Sequence, residues 1–272
     1  MMPRDWSRIP PTSVLGWTLR LPLRLIPKGT VVPVLSGLNR GMKWTTGSGI
    51  HSLWLGGYEI DKQTTLAPFV KPGMMVYDVG AHAGFYTLIF SRLVGETGHV
   101  YTFEPLPENA NNLLRHISLN RLRNVSVLPV AVSNRDGISG FEVAPSNSMG
   151  AISQNEARLR VPTVSLDNLI SHHTLPEPNL IKMDVEGAES SVLEGAQTLL
   201  RKNKTVWFIA LHGDEEKRQC YEIMKRAGYT VFLLNGSEVL HPDFQGDEIY
   251  AVPNNAPCDY SRRSGKKPKG SN

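Results

Sequence analysis

From residue 75 to residue 252, short apolar runs alternate with amphipathic stretches of helical length, and no other property of the chain narrows its fold so far. The runs that read as strands are Met75–Val79, His99–Glu104, Val125–Val132, Asn179–Val185, Thr205–Leu211, Tyr229–Leu234 and Glu248–Val252. Between them the spacing predicts a helix in which Phe85, Leu88, Ile89 and Leu93 share a face, and further helices over Asn109–Leu119, Ala188–Leu200 and Asp214–Ala227. Strands separated by helices of ~10–15 residues form parallel β/α units, because a parallel pair needs a long crossover. The expected fold is α/β, a doubly wound and mostly parallel sheet with helices on both faces. Segment 137–165, in short Ser- and Pro-containing pieces, interrupts the alternation and reads as a hairpin insertion.

In such sheets the ligand lies beyond the carboxyl ends of the strands, and the first strand–loop–helix commonly meets a nucleotide. Here that unit is MVYDVGAHAGFYTLI, Met75–Ile89. A dinucleotide fingerprint needs Gly-x-Gly-x-x-Gly, but His82 stands at the middle glycine's place, and no Gly-Lys-Ser/Thr of a phosphate loop follows. An acidic Asp78 at the strand end, with Gly80 and Gly84 to let backbone approach, suits a nucleoside that presents a cation, such as S-adenosylmethionine. Glu104, 24 residues after Gly80 at the end of the next strand, stands where a carboxylate can accept from both ribose hydroxyls. An NAD-dependent oxidoreductase on the same fold is the competing enzyme, and a catalytically silent cofactor-binding module is the competing non-enzyme.

A second polar group gathers where the strand after the insertion ends. In an extended Ile181–Val185, Lys182 and Asp184 point to one face, Glu186 follows at the turn, and His212 ends the next strand. His212, Asp184 and Lys182 are therefore the candidate catalytic residues, with His212 or Asp184 taking a hydroxyl proton. Glu189 reads as a first-turn helix acid. Asp184, Glu186 and His212 are also an oxygen-rich set that would suit Mg²⁺ or Mn²⁺. His116 reads as a helix-surface residue.

Tyr77-Asp-Val-Gly-Ala-His-Ala-Gly-Phe-Tyr-Thr87, Phe103-Glu-Pro105, Ile181-Lys-Met-Asp-Val-Glu-Gly-Ala-Glu189 and Leu211-His212, in that order, resemble the FkbM family of S-adenosylmethionine-dependent methyltransferases over roughly residues 55–235. The resemblance implies a class I, Rossmann-like methyltransferase fold, with the cofactor along Asp78, Gly80 and Gly84 and its ribose on Glu104, and O-methylation of a hydroxyl on a small metabolite, glycan or lipid-linked saccharide. The family usually has Asn at position 82, so His82 departs from the pattern within the cofactor loop. Trp54-Leu-Gly-Gly-Tyr-Glu59 also looks like the family's segment ahead of the domain.

Residues 1–60 are rich in Pro and Trp and read as a capping or substrate-selecting segment in which Trp54 and Tyr58 are candidate substrate contacts; residues 61–255 form the cofactor-binding domain, and residues 256–272 a basic, flexible tail. That tail, SRRSGKKPKG, accounts for part of the +4 net charge, so the charge does not point to nucleic acid. Cys220 and Cys258 lie in unlike contexts and form no zinc spacing or disulfide framework. With no signal peptide and no apolar run of ~18 residues, the expectation is a reduced, cytoplasmic protein without a transmembrane segment. Oligomeric state is not encoded.

Overall fold

The computed structural model describes residues 25–143, 150–153 and 159–255. Trp6, Trp17, Cys258, the basic tail and most of the run Leu19–Ile26 lie outside them. The described chain opens with an antiparallel pair, β1 (Val31–Pro33) and β2 (Lys43–Thr45), and two short helices, α1 (His51–Leu55) and α2 (Ile60–Leu66). The alternating region follows as β3 (Met75–Val79), α3 (Phe85–Val94), β4 (His99–Phe103), α4 (Pro107–Leu119) and β5 (Val125–Leu128). After β6 (Ala131–Val132), β7 (Gly137–Val143), β8 (Gly150–Ser153), β9 (Leu159–Val164) and α5 (Leu166–Ser171), the pattern resumes with β10 (Leu180–Met183), α6 (Glu189–Glu194), α7 (Gln197–Lys202), β11 (Val206–Ala210), α8 (Asp214–Arg226), β12 (Tyr229–Leu233) and β13 (Glu248–Pro253).

The main sheet has seven strands in the order β12-β13-β11-β10-β3-β4-β5. All neighbours are parallel except β13, which runs antiparallel to both β11 and β12. The winding reverses between β3 and β10, and their carboxyl ends are where such a sheet leaves room for a ligand. Both faces are buried, so the central strands read as continuous apolar runs rather than alternating ones. Val76, Leu180 and Phe208 point into one core with Leu88, Ile89 and Phe90 of α3, while Tyr77, Ile181 and Trp207 point into the other with Val192 and Leu193 of α6.

Two expected elements are divided. The run Val125–Val132 becomes β5 and β6 because Pro129 has no N–H to donate; beyond it the chain leaves the main sheet and pairs with β9 in a four-stranded one, order β6-β9-β7-β8. That smaller sheet is the expected hairpin insertion, β7 pairing antiparallel with β8 and β9. The helix expected over Ala188–Leu200 breaks into α6 and α7 at Gly195, where an added Cβ would lie 2.2 Å from the Ser133 carbonyl oxygen. The Asp167 carboxylate caps the new start, accepting from the N–H groups of Thr198 at 2.7 Å and Leu199 at 3.0 Å.

Residues ahead of the alternating region share its core: Val34, Met42, Trp44, Leu53 and Trp54 pack in the cluster that holds α3. His116 ties them down. It is fully buried, not a helix-surface residue. Its Nε2 accepts from the Thr45 N–H at 3.0 Å, which leaves Nδ1–H to donate to the Ala83 carbonyl at 2.7 Å, and the Trp44 ring stacks on it at 3.9 Å. Burial holds the imidazole neutral, down to a pKa of about 4, and Arg115 and His82 press the same way against the Ala83 bond. Among the described residues no helix is long and apolar enough to cross a membrane. Replacing His116 by Ala orphans the Thr45 N–H and the Ala83 carbonyl and empties the space against Trp44. Urea denaturation is expected to register a loss of about 2–4 kcal/mol; less than ~0.5 kcal/mol would mean that the N-terminal pair is held elsewhere.

Candidate active site

The loop after β3 is shaped by three consecutive requirements. Gly80 has φ 73°, and a Cβ there would stand 1.8 Å from the Asp184 carbonyl oxygen, so only glycine lets the end of β3 approach the end of β10. His82 has φ 51°, left-handed backbone that His, like Asn, tolerates better than most side chains. Gly84, at φ 91°, is the N-cap of α3, and a Cβ would meet the Leu113 methyl at 2.4 Å. The His82 N–H donates to Glu104 Oε2 at 2.7 Å, while Glu104 Oε1 accepts from the Leu106 N–H at 2.9 Å. Burial pushes the Glu104 carboxyl up and these N–H donors pull it down; the net shift is upward.

Asp78 and Lys182 are register partners on β3 and β10, so their side chains emerge side by side on the α3 face. The Lys182 ammonium, 3% exposed, donates to the Gly80 carbonyl at 2.9 Å and lies 3.4 Å from Asp78 and 3.8 Å from Asp184. Asp78 is fully buried and accepts from the Thr87 hydroxyl at 2.7 Å. It stands one layer behind the loop, not in the cavity wall.

A cavity of about 410 Å³ opens at this switch point, lined by Gly80, His82, Glu104, Lys182, Asp184 and Glu186 together with apolar residues from several elements. A second, of about 510 Å³, adjoins it and shares Tyr58, Asp184 and Glu186. His212 stands in the second. Its Nδ1 is 2.8 Å from Glu189 Oε1, and its Nε2 is 3.4 Å from Glu186 and 3.8 Å from Asp184. The hydrogen bond to Glu189, then the charges of Glu189, Glu186 and Asp184, raise the imidazole's pKa to about 9 against the opposing effect of burial. Burial pushes Asp184 up, but Lys182, Lys62 and His212 outweigh it and hold that carboxyl below its ordinary value. Burial and the neighbouring Asp184 and Glu189 raise Glu186, with His212 opposing. One ligand atom from each of Asp184, Glu186 and His212 falls within 4.8 Å of the others.

Of the residues expected from sequence, the fold brings Gly80, His82, Glu104, Lys182, Asp184, Glu186, Tyr58 and His212 to the two cavities, whereas Asp78 and Gly84 support the loop from behind. Trp54 lines neither cavity; it is buried, and its indole N–H meets His51 Nδ1 at 3.3 Å. Asn109, Phe141 and Ile50 line the first cavity and Asp247 and Glu248 the second without a motif to mark them, while Glu59, which closes the Trp54–Glu59 segment, lines the second. A Cβ-free Gly49 beside the His82 ring gave no signal either.

The strand order, the loop at the winding reversal and the carboxylate closing the next strand make this a class I, Rossmann-like methyltransferase fold. Its sequence matches the Methyltransferase FkbM domain over residues 78–231, and the chain belongs to that family. It is 27% identical over 154 residues to the hexuronic acid methyltransferase AglP of Haloferax volcanii, covering 56% of this chain and 62% of that one. The 2-O-methyltransferase NoeI of Sinorhizobium fredii is 30% identical over 159 residues, 50% of this chain and 63% of that one. The chain thus spans less than two thirds of the length of these relatives. Among solved structures, a methyltransferase FkbM from Methylobacillus flagellatus superposes with a TM-score of 0.47 at 20% identity, over 66% of this chain and 43% of that one.

Gly80→Ala is expected to open the β3–β10 junction, since a left-handed backbone and a steric overlap coincide there. Chemical denaturation should register at least ~2 kcal/mol. An unchanged midpoint would show that the Asp184 carbonyl moves aside freely.

Proposed function

We propose that the chain is an S-adenosylmethionine-dependent O-methyltransferase acting on a saccharide hydroxyl. The observation that carries this reading is the charge of the first cavity. Its wall holds Glu104, Asp184 and Glu186, and its lysine, Lys182, is committed to Gly80, Asp78 and Asp184. Among the described residues a pyrophosphate would face carboxylates with no uncommitted lysine or arginine in the cavity wall, which speaks against a dinucleotide. A nucleoside bearing a sulfonium and an ammonium suits the same wall. Glu104 already receives the His82 and Leu106 N–H groups, yet each of its oxygens can accept more than one donor, so ribose hydroxyls still have partners there. The saccharide acceptor follows the hexuronic acid named for one relative, and methylation on oxygen the 2-O-methyltransferase activity named for the other.

When bound, the cofactor supplies a methyl group on a sulfonium, open to in-line attack by an oxygen. In this proposal Gly80, His82 and Glu104 hold the nucleoside, and Tyr58, Asp184 and Glu186, common to both cavities, place the acceptor hydroxyl. The segment before residue 60 acts as the selecting element through Tyr58 and Glu59, with Trp54 only anchoring it. Lys182 positions the loop rather than touching the reacting atoms. The acceptor proton passes to His212 Nε2. A divalent ion on Asp184, Glu186 and His212 is a second reading, favoured by the convergence of their ligand atoms; loss of turnover in EDTA, restored by Mg²⁺ or Mn²⁺, would establish it.

Calorimetry should find S-adenosylmethionine binding at sub-millimolar concentration. His82→Asn should retain that affinity, because Asn accepts the left-handed backbone, and Glu104→Gln should weaken it about tenfold. A folded protein that does not bind at all removes the reading. The pH dependence tests the base. At neutral pH the raised pKa keeps His212 protonated, so kcat/KM should climb as pH rises toward about 9 and level off above it. In His212→Gln that limb should vanish; a wild-type profile flat from pH 6.5 to 9 would relieve His212 of the role.

A further inference from the structure

The junction of the two cavities fixes where an acceptor's reacting oxygen would sit, and the second cavity is left for the rest of the acceptor. This rests on the methyl-transfer reading above. What the second cavity adds is charge. The buried Lys62 ammonium lies 2.9 Å from Glu248 and 3.4 Å from Glu59. Lys217 lies 2.7 Å from Asp247 and 3.7 Å from Asp214, and His212 is divided between Glu189 and Glu186, as Lys182 is between Asp78 and Asp184. Each of these four cations is thus shared by at least two carboxylates, His212 also lying 3.8 Å from Asp184, so among the described residues the wall keeps an excess of negative charge even with His212 protonated.

We infer that the acceptor carries a protonated amine beside the hydroxyl that is methylated, an amino sugar rather than a neutral or acidic one. A negative, partly enclosed wall concentrates and orients a cation and repels a carboxylate. The ammonium has no lone pair to attack the sulfonium, so the chemistry stays with the hydroxyl. Charge in this arrangement chooses the acceptor, and the cofactor end of the site is left unaltered by that choice.

The test compares three trisaccharides in calorimetry, each with S-adenosylhomocysteine present and EDTA in the buffer: glucosamine trimer, its fully N-acetylated form, and galacturonate trimer. The glucosamine trimer is expected to bind at least about tenfold more tightly than the acetylated one, with the galacturonate weakest, and the preference should shrink as NaCl rises from roughly 0.05 to 0.5 M. Asp247→Asn changes a largely exposed rim residue, at 78% side-chain exposure, and should weaken the glucosamine trimer about threefold while leaving the acetylated one alone. Equal affinities, a preference for galacturonate, or no binding of the glucosamine trimer overturns the inference. Because S-adenosylhomocysteine binding is read separately, its failure identifies the methyl-transfer reading as the part that fell.

Discussion

The buried ammonium of Lys182 holds two strand ends in register beyond the point where the sheet's own hydrogen bonds stop. By donating to the Gly80 carbonyl and sitting between Asp78 and Asp184, it locks the loop after β3 to the turn after β10. The rest of the site depends on that junction. Gly80 must lack a side chain because the Asp184 backbone occupies its space, Asp78 must be an acid to balance the charge brought into the core, and Thr87 satisfies the carboxylate oxygen that Lys182 does not reach. A charge buried this deeply stays only where its partners are fixed. The loop is accordingly preorganised before anything binds to it.

The strands that were plain in the sequence are those buried on both faces, such as Met75–Val79, where a short apolar run between turn residues fits little but an interior strand. Positions that depend on which neighbour arrives were not plain. Asp78 and Glu104 both end a strand with an acid, yet one turns into the core toward Thr87 and Lys182 and the other lines the cavity; the difference lies in α3 and β10, which the local sequence does not describe. His116 looks like a polar residue on an amphipathic helix until Trp44 and Thr45, some seventy residues earlier, cover it. Pro129 was visible, but that it would transfer the chain to another sheet required knowing that β9 waits there. The acidic wall of the second cavity was the least legible part, since Glu59 lies almost two hundred residues before Asp247 and Glu248, and those two belong to no motif.

Residues 25–77, ahead of the family match, are not an appendage. They share a core with α3, bond the glycine loop through His116, and supply Tyr58 and Glu59 to the cavities. Glu59 itself sits at φ 45°, an unfavourable backbone for its side chain, and is kept there by the Tyr86 hydroxyl at 2.7 Å and by Lys62. A wall built from outside the matched region can change its chemistry while the cofactor loop stays as it is.

Lys62 and Glu248 are 186 residues apart in sequence and 2.9 Å apart in space. A lysine emerging from a ribosome therefore waits for 186 further residues before its buried charge finds its nearer partner, and until then Glu59 is the carboxylate left beside it as α2 settles into the core. The central β/α units can assemble from nearer contacts in the meantime. Closure of the second cavity is thus a late event of biosynthesis, and a chain interrupted before β13 would carry a formed cofactor loop beside an unfinished acceptor wall.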